Sequence, residues 1–555
     1  MNPLRLLRLV YHIPGNPQRF EVCLATDRVA RPVAFAREIG FYVQLEHDEW
    51  HVHVVPTKWI VIDELSMQLK IPTKGAQSIF LNGYQSDTNS GETPLHGRTP
   101  GLSWYAKRLF GNEAATRAGD YHFVKQDSSA GHQHGFSYGY IRRDPQYTLF
   151  GSLNEEKGFT VIRQQGELDN FLFEKEPPAA ALQPDVDHDL MAVCLITGKR
   201  SNVMRRWVKR SKHTIFSADP LIGYTTSYDG VMYPTKVSEE QRLAQADEKT
   251  VRSQLRAYRE LLRGLHLRGL SKLFQIGEGY CVPGDWLDVS KKRFPCGLAQ
   301  AVQTIHEQHM LAGLWLAPFA SARDSRLAQE HPDWLLRDIA QKPQCVSLHH
   351  NGLFALDVCN AEVKQYIAHV VKVATQQWGF DFLTIDYIYA AALLEHAGHN
   401  RAELLDMILT IVRDAAGPDV LLNFGGAPLA SAIGHAQYCE ISAGSAVAWD
   451  SARFGHVKTR ERKSTQQAIQ AIAARGALDG WAFGANPGVM LFDTIASFDD
   501  ANRASYIDAF TAQSSALLIA GNLERWTDKQ KEAYRLSLKQ FAMRHGIRVE
   551  GVEAR

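Results

Sequence analysis

One carboxylate in this 555-residue chain follows a strand-like run, at a place where a side chain can do chemistry. Asp386 comes directly after the apolar, β-branched stretch 379–385, which begins after a Trp-Gly break. Such a run predicts a buried parallel strand, and barrel enzymes place catalytic groups at the carboxyl-terminal mouth of these strands. A lone aspartate more often caps a loop or pairs with a neighbouring base. The strand context favours a site residue.

Histidines are the other residues with spacings that a metal ion could use, at His132, His134 and the pair His349-His350. They have no cysteine or carboxylate triad nearby in the sequence, so hydrogen-bonded loop histidines are the favoured interpretation. The seven cysteines are scattered and form no Cys-x-x-Cys pair. We therefore expect no metal site and no cofactor.

Short apolar runs alternate with amphipathic segments through the second part of the chain, and these elements would position Asp386. Runs such as 273–276 and 311–318 are separated by helical patterns, of which 361–377 is one. Repeated β-α units predict a (β/α)8 barrel, assigned here to residues 186–495. An open nucleotide-binding sheet is disfavoured, because no glycine-rich dinucleotide loop is present.

The chain before this region has a different pattern. Residues 1–185 contain short alternating or β-branched runs with turn residues between them, which predicts an N-terminal β-sandwich. The stretch 174–181, rich in Pro, Ala and charged residues, is typical of a linker. Residues 496–555 are expected to form a small C-terminal domain, too short to be an independent catalytic unit.

The composition argues against a polyanionic partner. Lys and Arg number 61 against 60 Asp and Glu, a net charge of +1, and no basic run with interleaved aromatic residues occurs. No nucleic-acid partner is therefore expected. No uncharged apolar run approaches ~18 residues, so no membrane association is expected. The scattered cysteines and the charged start predict a cytoplasmic protein. Homo-oligomer formation is left open.

A series of short motifs resembles the retaining α-galactosidases of the melibiase and raffinose-synthase type. The motifs occur in the family's order from about residue 80 to residue 490, and include Phe80-Leu81-Asn82-Gly83-Tyr84-Gln85-Ser86, Gln275-Ile276-Gly277-Glu278-Gly279-Tyr280, Gly313-Leu314-Trp315 and His331-Pro332-Asp333-Trp334. The resemblance implies a β-sandwich, a catalytic barrel and a small, β-rich C-terminal domain. It also implies that Asp386 is the nucleophile, since an anion below the oxocarbenium-like carbon can form a covalent glycosyl-enzyme.

The pocket positions depart from that family's pattern. The Asp-Asp pair corresponds to Gly277-Glu278, and the Lys two positions before the nucleophile corresponds to Thr384. Asp87 replaces an aromatic residue, and Ser227 replaces a Trp. Changes from large to small residues favour a bulkier or differently substituted sugar than plain α-galactose. The residues expected to bind the oligosaccharide or glycoside are Glu278, Trp315, Tyr228, Asp87, Thr384 and Asn423.

The acid/base residue is the largest departure. In the family it is an Asp, and the corresponding residue is Gly444, which can neither donate nor accept a proton. Glu440 and Asp450 are the nearby carboxylates. Glu440 takes the place of an Arg that would touch the sugar's 2-hydroxyl, beside the glycosidic oxygen, so it is the preferred acid/base. A salt-bridged or purely sugar-binding Glu440 is equally open. The family's Asn-Asp-Pro-Asp has also lost both acids, at 485–488.

The leading hypothesis is a retaining, exo-acting α-glycoside hydrolase with Asp386 as nucleophile and Glu440 as acid/base. A non-catalytic carbohydrate-binding or regulatory protein is the alternative, because the family's acid/base is missing. Transglycosylation is a third possibility, since it depends on whether water or a second sugar reaches the glycosyl-enzyme.

Overall fold

The structure is a computed structural model that covers most of the chain in describable detail. The described residues are 3–25, 33–36, 38–99, 117–125, 127, 129, 131–164, 166, 169–228, 247–265, 267–347, 352–446, 449–450, 460–461, 464–492 and 498–548. They contain two large antiparallel sheets, one parallel sheet with helices, and one small antiparallel sheet.

The first thirteen strands form the N-terminal β-sandwich that the sequence predicts. Alternation explains its strands: in Glu49–Pro56 every second side chain is buried, so one face packs inward. The strands are β1 (Leu4–His12), β2 (Arg19–Ala25), β3 (Val33–Ala36), β4 (Ile39–Glu46), β5 (Glu49–Pro56), β6 (Val61–Lys70), β7 (Ser78–Leu81), β8 (Gln133–Phe136), β9 (Tyr138–Arg143), β10 (Gln146–Ser152), β11 (Thr160–Gln164), β12 (Asn170–Lys175) and β13 (His188–Gly198).

The two sheets of the sandwich have the strand orders β2-β1-β6-β12-β11-β8 and β3-β4-β5-β13-β10-β9-β7. Their apolar core draws on both sheets: Leu7 and Met67 come from the first, Val52 and Ile79 from the second, and all four are fully buried. β13 pairs with β5 and β10, so the sandwich extends to Gly198 rather than ending near residue 185.

Nine of the remaining strands form one parallel sheet, in the order β23-β22-β21-β20-β16-β15-β14-β25-β24. The Ser515 N–H, just before the strand Ala516–Ala520, donates to the Ala485 carbonyl in the strand Gly484–Asn486 at 2.9 Å and so joins the two sides of the sheet. The predicted barrel is therefore present. The strands are β14 (Leu221–Thr225), β15 (Ser271–Ile276), β16 (Leu311–Leu316), β20 (Phe382–Ile385), β21 (Leu421–Phe424), β22 (Tyr438–Glu440), β23 (Gly484–Asn486), β24 (Val489–Leu491) and β25 (Ala516–Ala520). The small antiparallel sheet consists of β17 (Ala320–Ala322), β18 (Cys345–Ser347) and β19 (Leu353–Ala355).

Helices follow the barrel strands, as the β-α alternation predicts. Asn400 begins the helix Arg401–Ala416 with a capping box, because its side chain accepts from the Glu403 N–H while the Glu403 side chain accepts from the Asn400 N–H. The α-helices are α1 (Arg200–Arg210), α2 (Glu248–Leu261), α3 (Gly297–His306), α4 (Arg326–Glu330), α5 (Ala361–Lys372), α6 (Arg401–Ala416), α7 (Leu429–Ala432), α8 (Thr465–Arg475), α9 (Asp500–Ala512) and α10 (Asp528–Arg544).

The last part of the chain differs from the expected separate, β-rich C-terminal domain. Residues 498–548 supply α9, β25 and α10, and β25 pairs in parallel with β14 and β24. The physical reason is that Ala516–Ala520 is buried throughout and supplies the backbone partners that the edge of β14 requires. This segment is part of the barrel.

Within the described ranges, no helix is long and apolar enough to span a bilayer. The same residues contain no group of three or more His, Cys, Asp or Glu side chains placed to hold a metal ion. His134 is buried in β8 with Nε2 2.7 Å from Asp120, and His132 lies 2.9 Å from Asp127. His349 and His350 lie outside the described residues.

Candidate active site

Asp386 lies directly after β20, at the barrel mouth, and its carboxylate is held by two donors. The Trp315 indole N–H donates to Oδ2 at 3.2 Å, and the Tyr387 N–H donates to Oδ1 at 2.7 Å. The backbone N–H of Asp386 continues the pairing with β16 by donating to the Leu316 carbonyl at 2.8 Å. The side chain is half-buried. The carboxylate is thus oriented and still partly accessible.

Glu440 ends β22 and approaches Asp386 across a single glycine. A Cβ atom at Gly425, the residue after β21, would lie 2.8 Å from Asp386 Oδ1 and 3.2 Å from Glu440 Oε2. These two oxygens are therefore at most about 6 Å apart, the sum of the two distances. The structure brings together the two residues that the sequence selected as catalytic, and the gap between them exists because residue 425 has no side chain.

Asp87 lies on residues 82–90, the sandwich loop, which follows β7 and contacts the turn after β21. The Ser86 N–H donates to the Ala427 carbonyl at 2.8 Å, and the Gly426 N–H donates to Ser86 Oγ at 2.9 Å. Gly426 has φ +63, which glycine adopts without strain. Asp87 follows Ser86 and is half-buried. The Ser86 hydroxyl also donates to Asp87 Oδ1 at 3.3 Å, so a third carboxylate borders the turn after β21.

The strands carry a polar row, a set of neutral side chains each at most 4% exposed: Thr225, Gln275, Thr384, Asn423 and Asn486. The Thr384 hydroxyl donates to Gln275 Oε1 at 2.7 Å and accepts from Asn423 Nδ2 at 3.3 Å. Gln275 Nε2 donates to Thr225 Oγ1 at 3.1 Å, and Asn486 Nδ2 donates to Asn423 Oδ1 at 3.1 Å. Thr384 and Asn423, both expected to bind substrate, thus hydrogen-bond to each other within the barrel.

The other predicted binding residues have mixed placements. Trp315 is 5% exposed and packs edge-on against Trp286, with ring centroids 5.9 Å apart, so its main contact with the site is the indole N–H on Asp386. Glu278 is half-buried, two residues after β15, at the same mouth. Tyr228 ends a short 3-10 helix after β14, and its side chain lies outside the described part of the chain.

The glycine at the position of the expected acid/base packs against a second glycine. A Cβ atom at Gly488 would lie only 2.6 Å from the Gly444 Cα, and Gly444 has φ +70, which disfavours any side chain there. The Ser442 hydroxyl donates to the Pro487 carbonyl at 2.7 Å, which joins the two loops. Residues 444 and 488, at both of which the resemblance led us to expect an acid, therefore contact each other through their backbones.

Arg475 contacts both the sandwich loop and the residue after Glu440, and no sequence pattern indicated this role. This last residue of α8 is fully buried, and desolvation lowers its pKa to about 10, so it remains charged at neutral pH. An Arg in the last turn of a helix is ordinarily solvated, which is why the pattern did not single it out. Its guanidinium donates to Asn82 Oδ1, to the Gln85, Ser86 and Thr88 carbonyls, to Ser90 Oγ and to the Ile441 carbonyl, at 2.5–3.1 Å.

Two half-buried carboxylates that face each other at the mouth of a parallel barrel are typical of glycoside hydrolases. A model of the Melibiase family matches residues 280–403, a segment that contains β16, β20 and Asp386. The matched segment therefore includes the strand before Asp386 and Asp386 itself.

Curated relatives match over a short stretch. The α-galactosidase Mel36A of Lactobacillus acidophilus is 37% identical over 106 residues, which are 19% of this chain and 13% of the relative. An A type blood α-D-galactosamine galactosaminidase of Flavonifractor plautii is 29% identical over 132 residues, 22% of this chain and 12% of the relative. The matched stretch is thus a small fraction of each relative's own length.

Solved structures match over nearly the whole chain. TtGalA, an α-galactosidase from Thermus thermophilus solved with p-nitrophenyl α-D-galactopyranoside, has a TM-score of 0.65 at 22% identity and covers 90% of this chain and 92% of its own. The α-galactosidase AgaA of Geobacillus stearothermophilus has a TM-score of 0.55 at 13% identity, over 92% of this chain and 67% of its own. The chain has the fold of these enzymes, and its residues 280–403 are similar to the Melibiase family.

Replacing Thr384 by Val is expected to destabilise the protein by about 1–3 kcal/mol, because Gln275 Oε1 and Asn423 Nδ2 each lose a buried partner. Val has the shape of Thr, so the loss measures hydrogen bonds rather than packing. Thr384→Ser keeps the hydroxyl and is the matched control, with a smaller loss. Urea unfolding gives the free energy of unfolding of the wild type and of both variants. A Val variant as stable as the wild type would show that the hydrogen bonds of the polar row do not contribute to stability.

Proposed function

We propose that the protein is a retaining, exo-acting α-glycoside hydrolase that releases a terminal α-linked sugar by double displacement. The observation that carries the proposal is the closeness of Asp386 Oδ1 and Glu440 Oε2, at most about 6 Å apart across Gly425. Retaining enzymes place their two carboxyl groups ~5–5.5 Å apart, a separation that this upper limit accommodates. The relation to α-galactosidases supports the same reaction class.

In the first displacement Asp386 attacks the anomeric carbon while Glu440 protonates the departing oxygen. The donors from Trp315 and Tyr387 hold one oxygen of Asp386 each, so its orientation is set before the substrate arrives. In the second displacement Glu440 takes a proton from water, and that water opens the covalent glycosyl-enzyme with release of the α-anomer.

Glu440 is a better acid/base candidate than either alternative in its segment. Asp450 is exposed, whereas Glu440 is half-buried and borders the same glycine as Asp386. Gly444 has no group that transfers protons, and its φ of +70 disfavours a side chain there.

The sugar is proposed to differ from plain α-galactose. The residue two positions before the nucleophile is the neutral Thr384, which is engaged in the polar row. Asp87 brings a carboxylate to the turn after β21, and Glu278 lies at the same mouth of the barrel. Carboxylates accept hydrogen bonds, so we propose that Asp87 and Glu278 bind donor groups of the sugar. The named relatives include both α-galactosidases and an α-D-galactosamine galactosaminidase.

The acid pair is tested by Asp386→Asn and Glu440→Gln. The first is expected to lower kcat for aryl α-glycosides by ~10³-fold or more, because the nucleophile is removed. The second is expected to lose ~10²–10⁴-fold on disaccharides and much less on a p-nitrophenyl glycoside, whose leaving group needs little protonation. Asp450→Asn is the matched control and should keep wild-type rates. Initial rates and the anomer first seen by NMR are the measurements.

Wild-type activity in the Asp386→Asn protein would refute the proposal. The glycine at position 444 favours a second candidate, a carbohydrate-binding protein without turnover. That candidate would be supported if a wide panel of α-glycosides stays intact while a sugar raises the melting temperature of the wild type. Products longer than the substrate would indicate transglycosylation, through the same glycosyl-enzyme.

The gap at Gly425 gives a separate prediction. A methyl group there would come within 2.8 Å of Asp386 Oδ1, so Gly425→Ala should displace the carboxylate while the backbone stays in place. A misplacement of ~1 Å is expected to lower kcat by ~10²-fold, with little change in melting temperature. Gly198→Ala is the control, because its methyl group would meet nothing nearer than 3.5 Å. Equal kinetics in both variants would show that the spacing is irrelevant.

A further inference from the structure

We propose that Arg475 is a positioning residue that assembles the sugar site from two separate parts of the chain. These parts are the sandwich loop, which carries Asp87, and the end of β22, which carries Glu440. The inference rests on the proposed function and adds to it the group that sets where two of the site's carboxylates stand relative to each other.

One nitrogen of the guanidinium bridges the two parts. Nη1 donates to the Ser86 carbonyl at 2.5 Å and to the Ile441 carbonyl at 3.0 Å. Ser86 directly precedes Asp87, and Ile441 directly follows Glu440. A planar group with fixed donor directions therefore sets the distance between the backbones of both acid-bearing segments.

The other donors hold the sandwich loop in its shape. Nε donates to Asn82 Oδ1 at 2.9 Å, and Nη2 donates to the Gln85 and Thr88 carbonyls and to Ser90 Oγ, at 2.9–3.1 Å. The acceptors lie both before and after Asp87 in the sequence, so the loop is held on both sides of that residue. The loop therefore presents its carboxylate in one orientation because its carbonyls converge on a single cation.

Because Arg475 is buried, its charge must be stabilised entirely by protein groups. Arg475 is 0% exposed, and all six acceptors are neutral oxygens, so its charge is stabilised by dipoles rather than by a direct ion pair. The negative charge of Asp87 offsets part of the desolvation that Arg475 bears. Lysine has the charge but only one nitrogen, and it lacks the fork that reaches both segments at once.

The test compares Arg475→Lys with Arg413→Lys, a matched control at the opposite end of the barrel. Arg413 is also buried, and its guanidinium donates to Gln437 Oε1 and to the Gly417 and Val420 carbonyls, just before β21. Both variants keep the charge and lose a buried fork of hydrogen bonds. If Arg475 has a purely structural role, both substitutions should lower the melting temperature, and amide exchange and kinetics at the site should be the same in the two variants.

Amide hydrogen exchange at Ser86 and Gly426 reports the docking of the sandwich loop without requiring turnover. We expect both amides to exchange about tenfold faster or more in Arg475→Lys and at wild-type rates in Arg413→Lys. On an aryl α-glycoside, Arg475→Lys should raise KM and lower kcat, together ~10²-fold in kcat/KM, whereas Arg413→Lys should leave both unchanged. The rise in KM reports Asp87, and the fall in kcat reports Glu440.

Wild-type exchange at both amides in Arg475→Lys would overturn the proposal, and so would indistinguishable exchange in the two variants. If Arg475→Lys does not fold, Ser90→Ala removes one of its acceptors and must accelerate the same amides to a smaller extent; no acceleration there also overturns it. A wild type without glycosidase activity would refute the proposed function alone, since the exchange measurement still decides whether Arg475 positions the loop.

Discussion

The candidate site depends on the absence of a side chain at one position, directly after β21, which is the middle one of three adjacent strands. β20 and β22 are separated by β21, and neighbouring strands lie ~4.8 Å apart, so their backbones are roughly 10 Å from each other. Carboxylates at the ends of β20 and β22 therefore approach each other across the end of β21, and the residue there must have no side chain. Gly425 is that residue, because a Cβ atom there would contact both acids. The separation of the acids is therefore a property of three adjacent strands.

The departures from the α-galactosidase pattern are mutually satisfied. Thr384 hydrogen-bonds to Gln275 and Asn423, so its hydroxyl is part of a continuous set of buried partners. Gly444 and Gly488 contact each other through their backbones. Buried polar groups in folded proteins are as a rule hydrogen-bonded, and the polar row conforms to that rule.

The sequence could predict what is local and could not predict what is distant. The sandwich and the barrel follow from short alternating runs and from repeated β-α units, and Asp386 follows from its place after a buried run. The segment Ala516–Ala520 was missed as a barrel strand, because five apolar residues carry no sign of which strand they pair with. Arg475 was missed because its acceptors lie up to 393 residues away in sequence, at Asn82. Such contacts are created by folding alone.

The pairing of β14 with β25 also has a consequence for how the chain folds during synthesis. Leu221 in β14 pairs with Ala516 in β25. One edge of the first barrel strand is therefore covered only after β25, nearly 300 residues further along the chain, has been made. The sandwich contains mostly earlier residues and can form while the barrel is still being made, since domains generally fold as units from the N-terminus. Until Ala516–Ala520 leaves the ribosome, β14 presents an unpaired edge of buried-type residues. Barrel closure is thus a late, long-range step, and the nascent chain is most exposed to aggregation just before it.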